Sequence, residues 1–366
     1  MNKKVTILVC PLNWGLGHAT RCIPIIRQLL LKNVNVIIAG SGSSFELLKL
    51  EFPQLDNIIL EGYNIIYPRN GNMLFSILCK FPIIFYHTIK EHQTLIKIIK
   101  KNKIDAIISD NRFGLFSKRK PSIFITHQLM IKCPKWLKFL EPLLYLINNY
   151  FISRYFECWV PDYKGKINLS GDLSHKYPRL QNVHYIGPQS RLHNADNDYG
   201  NNNVSYDIMV ILSGPEPQRS LLENIITEQL VNSNVKAIIV LGKPELNLKN
   251  QIKDNLTFYS YMTSDEIIRF MYQSKIIFCR SGYSSIMDLC VSGKKAILVP
   301  TPGQTEQEYL AKYFMNKKIF YSQLQQNLDI FKAIKNSEEY DGIKIKYNPS
   351  ILNRRIDRLL EKIRKK

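Results

Sequence analysis

The chain has 366 residues, 45% of them hydrophobic and 22% charged; that balance excludes disorder along its length. The length exceeds one comfortable core, so two α/β domains of similar size are expected. Lys and Arg number 50 against 30 Asp and Glu, a net charge of +20 that favours phosphorylated ligands, nucleic acid or acidic lipid as partners.

Two lysines precede Val5–Val9, an apolar run too short for a signal peptide, and it leads into Gly15-Leu-Gly-His18 instead of a cleavage site. It reads as a first buried strand. A helix follows from about Ala19 to Leu31, then a strand at Val34–Ile38 that ends at Gly40-Ser-Gly-Ser-Ser44, where no ribose-binding acid stands. Asp105–Ser109 and Ser122–Thr126 are further short strands, each followed by polar residues: Asp110, Asn111 and Arg112 in one case, His127 and Gln128 in the other. Polar groups just past strand ends are where open α/β sheets bind ligands. Residues 193–205 (HNADNDYGNNNVS) are Asn-rich and polar and read as a linker. A second strand–loop–helix series then runs through Tyr206–Leu212, Val235–Leu241, Ile276–Cys279 and Ala296–Val299, and residues 350–366 form a basic amphipathic helix. Two such series predict two Rossmann-type domains: 1–192 and, after the linker, 206–349, with the last helix bracing the first domain or capping the second.

No apolar run approaches the ~20 residues of a membrane-spanning helix. The seven cysteines include no Cys-x-x-Cys pair, which supports neither a zinc site nor a disulfide framework and points to a reducing compartment. Two stretches, Asn72–Ile89 with the lysines up to Lys103 and Lys132–Tyr155, mix large apolar residues with lysines. They are core-facing helix sides or contacts to an acidic membrane surface. No nucleic-acid-binding module accompanies the charge, so nucleic acid is not an expected partner.

The densest chemistry lies in Ile276–Ala311. A strand ends at Cys279, and Arg280-Ser281-Gly282-Tyr-Ser284-Ser285 turns into a helix near Ser284, whose free amides form an anion site, with Gly282 supplying backbone freedom. Asp288 offers a carboxylate to sugar hydroxyls one turn on, and Pro300-Thr-Pro-Gly303 is followed by Gln304, Glu306 and Gln307. Upstream, Leu212-Ser-Gly214-Pro-Glu-Pro-Gln218-Arg219 is a glycine-containing loop after a strand, suited to cradling a diphosphate. Pro215 and Pro217 carry no amide hydrogens, so Gln218 or Arg219 would supply the missing donors.

These residues resemble the donor half of the MurG-type (family 28) glycosyltransferases. That family's Arg-x-Gly-x-x-Thr-x-x-Glu run stands here as Arg280, Gly282, Ser285 and Asp288, and its Gln-x-x-Asn-Ala run is similar to Gln307–Ala311, with Leu310 in place of Asn. Phe258–Met262 resembles the strand end that reads uracil through its backbone, which brings in Tyr261 and Met262. The resemblance implies a GT-B-like fold of two Rossmann-type domains facing across a cleft. It also implies inverting transfer of N-acetylglucosamine from UDP-GlcNAc, without a metal ion or other cofactor, to an acceptor hydroxyl on a lipid-linked or cell-surface precursor. The setting would be the cytoplasm, peripheral to the inner face of the plasma membrane. On the acceptor side, the family's glycine-rich turn ending in His corresponds to Gly15, Gly17 and His18, with Arg21 beyond. His18 is the first choice of general base or a phosphate contact, Asp110 the second base, and Arg112, His127 and Gln128 are acceptor contacts. Alternatives are a UDP-GlcNAc 2-epimerase and a non-catalytic sugar-nucleotide-binding subunit of a membrane transferase.

Overall fold

A computed structural model describes residues 4–13, 15–62, 81–192, 204–243, 246, 251–343 and 348–365, with backbone alone at 81–84 and 135. Trp14, residues 72–80 of the first apolar stretch and 193–203 of the expected linker lie outside the described residues.

Each half is built on a seven-stranded sheet. The first contains β1 (Thr6–Pro11), β2 (Asn35–Gly40), β3 (Asp56–Ile59), β4 (Ala106–Asp110), β5 (Ser122–Ile125), β6 (Glu157–Val160) and β7 (Val183–Tyr185). Its spatial order is β3-β2-β1-β4-β5-β6-β7, and every pairing is parallel. Parallel neighbours need crossover connections, here α1 (Leu16–Leu31), α2 (Gly42–Glu51), α3 (Phe81–Asn102) and α4 (Glu141–Ile152), with a one-turn α5 (Asp172–His175). Helices on the sheet faces bury the central strands on both sides, which is why β1 and β4 read as continuous apolar runs: Ile7, Leu8, Val9, Ile107 and Ile108 are fully buried.

The second sheet holds β8 (Tyr206–Ile211), β9 (Ala237–Val240), β10 (Gln251–Lys253), β11 (Leu256–Tyr259), β12 (Ser274–Cys279), β13 (Ala296–Leu298) and β14 (Tyr321–Ser322), in the order β10-β11-β9-β8-β12-β13-β14. Only β10, an exposed edge hairpin with β11, runs antiparallel among these. The helices are α6 (Gln218–Leu230), α7 (Ser264–Tyr272), α8 (Tyr283–Ser292), α9 (Thr305–Asn316) and α10 (Ile330–Ser337). One core cluster joins β8, β9, β12 and β13 to α6 and α10 through Val210, Ile239, Leu222, Phe278, Ile297 and Ile330.

The described residues up to Ser190 form one compact unit together with the last helix, α11 (Ser350–Arg364); those from Arg191 to Ile343 form the other. In α11, Leu352, Ile356, Leu359 and Leu360 are buried. Its polar side pairs with the first unit: Lys32 with Asp357 at 2.6 Å, and Glu157 with Arg355 at 3.4 Å and Arg358 at 3.1 Å. Glu157 is buried at the start of β6 and also accepts from the Trp159 indole at 2.8 Å, so the two arginines compensate a charge that would otherwise be costly.

Candidate active site

In both sheets the strand order reverses beside the first strand of the series, between β1 and β4 and between β8 and β12. Connections leave the two neighbours in opposite directions there, which opens a crevice at their carboxyl ends. The polar runs singled out in the sequence fall at these two points.

At the first reversal, His18 stands in the opening turn of α1 and Asp110 ends β4. Gly15 caps α1 at φ 90°, and the Gly17 carbonyl accepts from the Thr20 hydroxyl at 3.0 Å. The first turn of α2 braces this turn: the Ser44 hydroxyl donates to the Gly15 carbonyl at 2.8 Å, and Gly42, at φ +66°, leaves room where a Cβ would collide with the Asn13 amide. The start of α2 therefore supports the His18 turn.

His18 Nδ1 lies 2.9 Å from Asp110 Oδ1. Arg21 engages both Asp110 oxygens through Nε and Nη2, and its Nη1 donates to His127 Nδ1 at 3.0 Å. Asp110 and Arg21 are buried, while the His18 side chain keeps 14% of its surface. Burial alone would raise the Asp110 pKa, but Arg21 and His18 outweigh it and hold the carboxyl at about 2. Burial, and then Arg21, lower the pKa of His18 against the pull of Asp110. At neutral pH the ring is therefore uncharged beside an ionised carboxylate. Arg21 Nη2 lies 2.8 Å from the same Nδ1; the tautomer that donates from Nδ1 to Asp110 is the one that presents an Nε2 lone pair for base chemistry.

This geometry corrects three expectations. Asp110 is not a second base: its oxygens are enclosed by Arg21, His18 and, at 3.7 Å, the Cys22 thiol. It orients His18. Arg21, held by Asp110 and His127, is not an acceptor contact. Arg112 is fully buried, paired with Glu91 at 2.7 Å and donating to the Glu61 carbonyl at 2.8 Å, so it ties the end of β3 to α3. His127 is buried beneath Arg21, and Gln128, half-buried, donates its backbone N–H to the Thr126 hydroxyl at 3.1 Å.

At the second reversal, the loop after β8 carries Gly214 at φ +104°, a left-handed conformation that favours glycine. Arg280, the first residue past β12, reaches across to this loop and donates from Nη2 to the Gln218 carbonyl at 2.7 Å. Its Nη1 points at the Pro300 and Val299 carbonyls at 3.3 and 3.4 Å, and its Nε has no partner among the described residues. Burial lowers the Arg280 pKa to about 10, so it stays cationic at neutral pH. Arg21, Arg112 and Arg280 are among the largest fully buried side chains. The first two face Asp110 and Glu91; Arg280 has no carboxylate partner among the described residues. An uncompensated buried cation is costly unless an anion meets it. The first turns of α6 and α8, whose amide dipoles favour negative charge, open beside it.

Around this seat, Gln307 accepts from the Thr301 N–H at 2.8 Å, and its Nε2 would stand 4.0 Å from a Cβ on Gly282. Ser284 and Ser285 are half-buried in the first turn of α8, Gln304 caps α9, and Glu306 is half-buried in the first turn of α9. Asp288 pairs with Arg191 at 3.6 Å. Four expectations change here. Gly282 sits at φ −70°, a conformation open to any residue, so it does not supply the expected backbone freedom. Ser281 is fully buried and donates to the Gln307 carbonyl at 2.8 Å, linking two helices. Arg219 is buried against the Leu241 carbonyl at 3.0 Å, Glu223 at 3.2 Å and Glu216, so it fixes the loop and does not replace the missing proline amides. The Met262 side chain is core, and beside the half-buried Tyr261 only its backbone is left to meet a ligand. Two buried polar residues at this seat, Thr301 and Gln325, escaped the sequence reading: one hides between two prolines and the other in a Gln-rich stretch without a motif.

The contrast between buried arginines is measurable. Arg112→Met strands Glu91 and is expected to cost about 3–5 kcal/mol in denaturant unfolding. Arg280→Met strands no carboxylate and should cost clearly less; equal losses would contradict the account of Arg280 as an uncompensated charge.

Residues 208–341 match the family described as Glycosyltransferase family 28 C-terminal domain. Over 323 residues the chain is 23% identical to a protein of Sulfurihydrogenibium sp. named UDP-N-acetylglucosamine--N-acetylmuramyl-(pentapeptide) pyrophosphoryl-undecaprenol N-acetylglucosamine transferase, covering 87% of this chain and 84% of that one. Among solved structures, MurG of Acinetobacter baumannii superposes with a TM-score of 0.52 at 12% identity, covering 98% of this chain and 95% of that one. The glycotransferase of kitacinnamycin gives 0.61 at 12% identity, covering 100% and 96%. Residues 208–341 thus form a glycosyltransferase family 28 C-terminal domain, and the chain as a whole has the fold of the GT-B glycosyltransferases.

Proposed function

We propose that the chain is an inverting hexosyltransferase that moves N-acetylglucosamine from UDP-GlcNAc to a hydroxyl of a lipid-linked cell-envelope precursor. The observation that carries this reading is Arg280, a buried cation without a carboxylate, set beside the first turns of α6 and α8. A diphosphate supplies the missing charge, and the charge that develops as UDP departs is met by the same guanidinium and helix amides. This arrangement supports a metal-independent reaction. On the acceptor side, Nε2 of His18 takes the proton of the attacking hydroxyl; the new bond forms at the anomeric carbon as the bond to the diphosphate breaks. A single displacement of this kind inverts the configuration.

The acceptor's lipid brings the enzyme to a membrane. Among the described residues no helix is long and apolar enough to cross one. The surface offers an alternative: Trp136, Phe139, Leu143, Leu146 and Tyr150 recur at helical spacing over residues 135–152 and are all exposed, Phe139 by 73%. Lys138 is exposed beside them, and Arg154 stacks on Tyr150 at 4.5 Å. We assign this stripe to the interface of an acidic membrane, peripheral on the cytoplasmic side.

Incubation with UDP-GlcNAc and a lipid-linked acceptor should release UDP and yield the inverted glycoside. UDP-ManNAc formed without acceptor would instead make the enzyme an epimerase. His18→Ala should abolish transfer while UDP binding persists. Asp110→Asn should lower kcat by about 10²–10⁴-fold with the donor KM unchanged. Because the pKa of His18 is lowered, kcat should be flat through neutrality and fall only as acid protonates the ring, below its ordinary midpoint near ~6.5. A fall beginning above pH 7 would remove His18 from the role of base. Trp136→Ala combined with Phe139→Ala should release the protein from vesicles of anionic lipid without changing transfer to a water-soluble acceptor.

A further inference from the structure

Three buried polar atoms converge on the opening of α6, and the motifs that mark the family account for only one of them. Thr301 is 2% exposed and Gln325 7%, and neither the Thr301 hydroxyl nor Gln325 Oε1 has a hydrogen-bond partner among the described residues; Arg280 Nε is the third such atom. The three belong to one place. The Thr301 hydroxyl would lie 3.6 Å from a Cβ on Gly214, Arg280 bonds the Gln218 carbonyl, and Gln325 Nε2 donates to Gln218 Oε1 at 3.1 Å. Buried polar groups are costly unless satisfied, so a ligand with matching chemistry is what this cluster is built to receive.

We infer that Thr301 and Gln325 are two further donor-reading residues with different targets, an inference that rests on the nucleotide-sugar reading above. Thr301 O–H and Arg280 Nε–H are donors beside a helix N-terminus, which suits diphosphate oxygens. Gln325 Oε1 is an acceptor, and a diphosphate at neutral pH has no proton to give it; the hydroxyl-bearing group joined to the diphosphate, the sugar, does. The pair thus separates the two parts of the ligand: Thr301 reads the diphosphate, and Gln325 reads the sugar attached to it.

Calorimetric titration of the full chain with UDP and with UDP-GlcNAc tests this. Thr301→Val, close in shape but without the hydroxyl, should weaken both ligands by about tenfold, and Thr301→Ser should restore them. Gln325→Ala should weaken UDP-GlcNAc by about fivefold or more and leave UDP close to its original affinity. Melting temperatures of the free variants, unchanged, distinguish a lost contact from a lost fold. If the unaltered protein binds UDP and Thr301→Val binds it equally well, or Gln325→Ala loses both ligands alike, the inference is overturned and the nucleotide reading stands. If the unaltered protein binds neither ligand, the nucleotide reading itself falls.

Discussion

The parallel sheet dictates where chemistry is available in this molecule. Once β1 lies between β2 and β4, and β8 between β9 and β12, the connections on either side must diverge, and the polar side chains of both candidate sites gather just past those strands while everything below is packed on both faces. His18 and Asp110 follow from the first reversal; Gly214, Gln218 and Arg280 follow from the second. The same constraint explains why strand interiors contribute nothing to either site. Their residues are consumed by the core.

Within that frame, charge pairing divides labour among buried arginines. Arg21 is bound into Asp110 and His127, and the result is a neutral imidazole held at Nδ1 between the guanidinium and a carboxylate of depressed pKa. Arg112 and Arg219 are likewise satisfied by carboxylates and carbonyls and serve as internal ties. Among the described residues Arg280 meets carbonyls alone. Carbonyl dipoles position a guanidinium without neutralising it, and a cation held that way at a helix opening is prepared for an anion before one arrives. Little reorganisation is then needed when negative charge develops.

The residue pattern made the two-domain α/β plan and both strand-end sites readable, because apolar runs of strand length and the polar residues that follow them are local signals. Pairings between distant residues were not readable. Nothing in the neighbourhood of Arg112 announces Glu91, and nothing near Asp110 announces that Arg21, 89 positions away, encloses it. Hence residues of the right type in the right loop were credited with ligand contact when a carboxylate across the fold had already claimed them. Short edge strands such as Asp56–Ile59 were missed for a related reason: their exposed residues lack the apolar run that marks a buried strand. Glycines misled in one direction only. Gly214 does take the left-handed conformation, whereas Gly282 sits in a conformation open to any residue.

The return of α11 to the first unit bears on how such proteins can be recombined. Leu352, Ile356, Leu359 and Leu360 complete a surface made by residues encoded far upstream, and Arg355 and Arg358 neutralise Glu157 from more than a hundred residues away. A chimera that exchanged the family 28 domain with a single junction would bring a foreign helix to that surface and leave Glu157 exposed to mismatch. Grafting a new donor specificity onto this scaffold therefore calls for two junctions, one on each side of the inserted domain, with the native final helix retained.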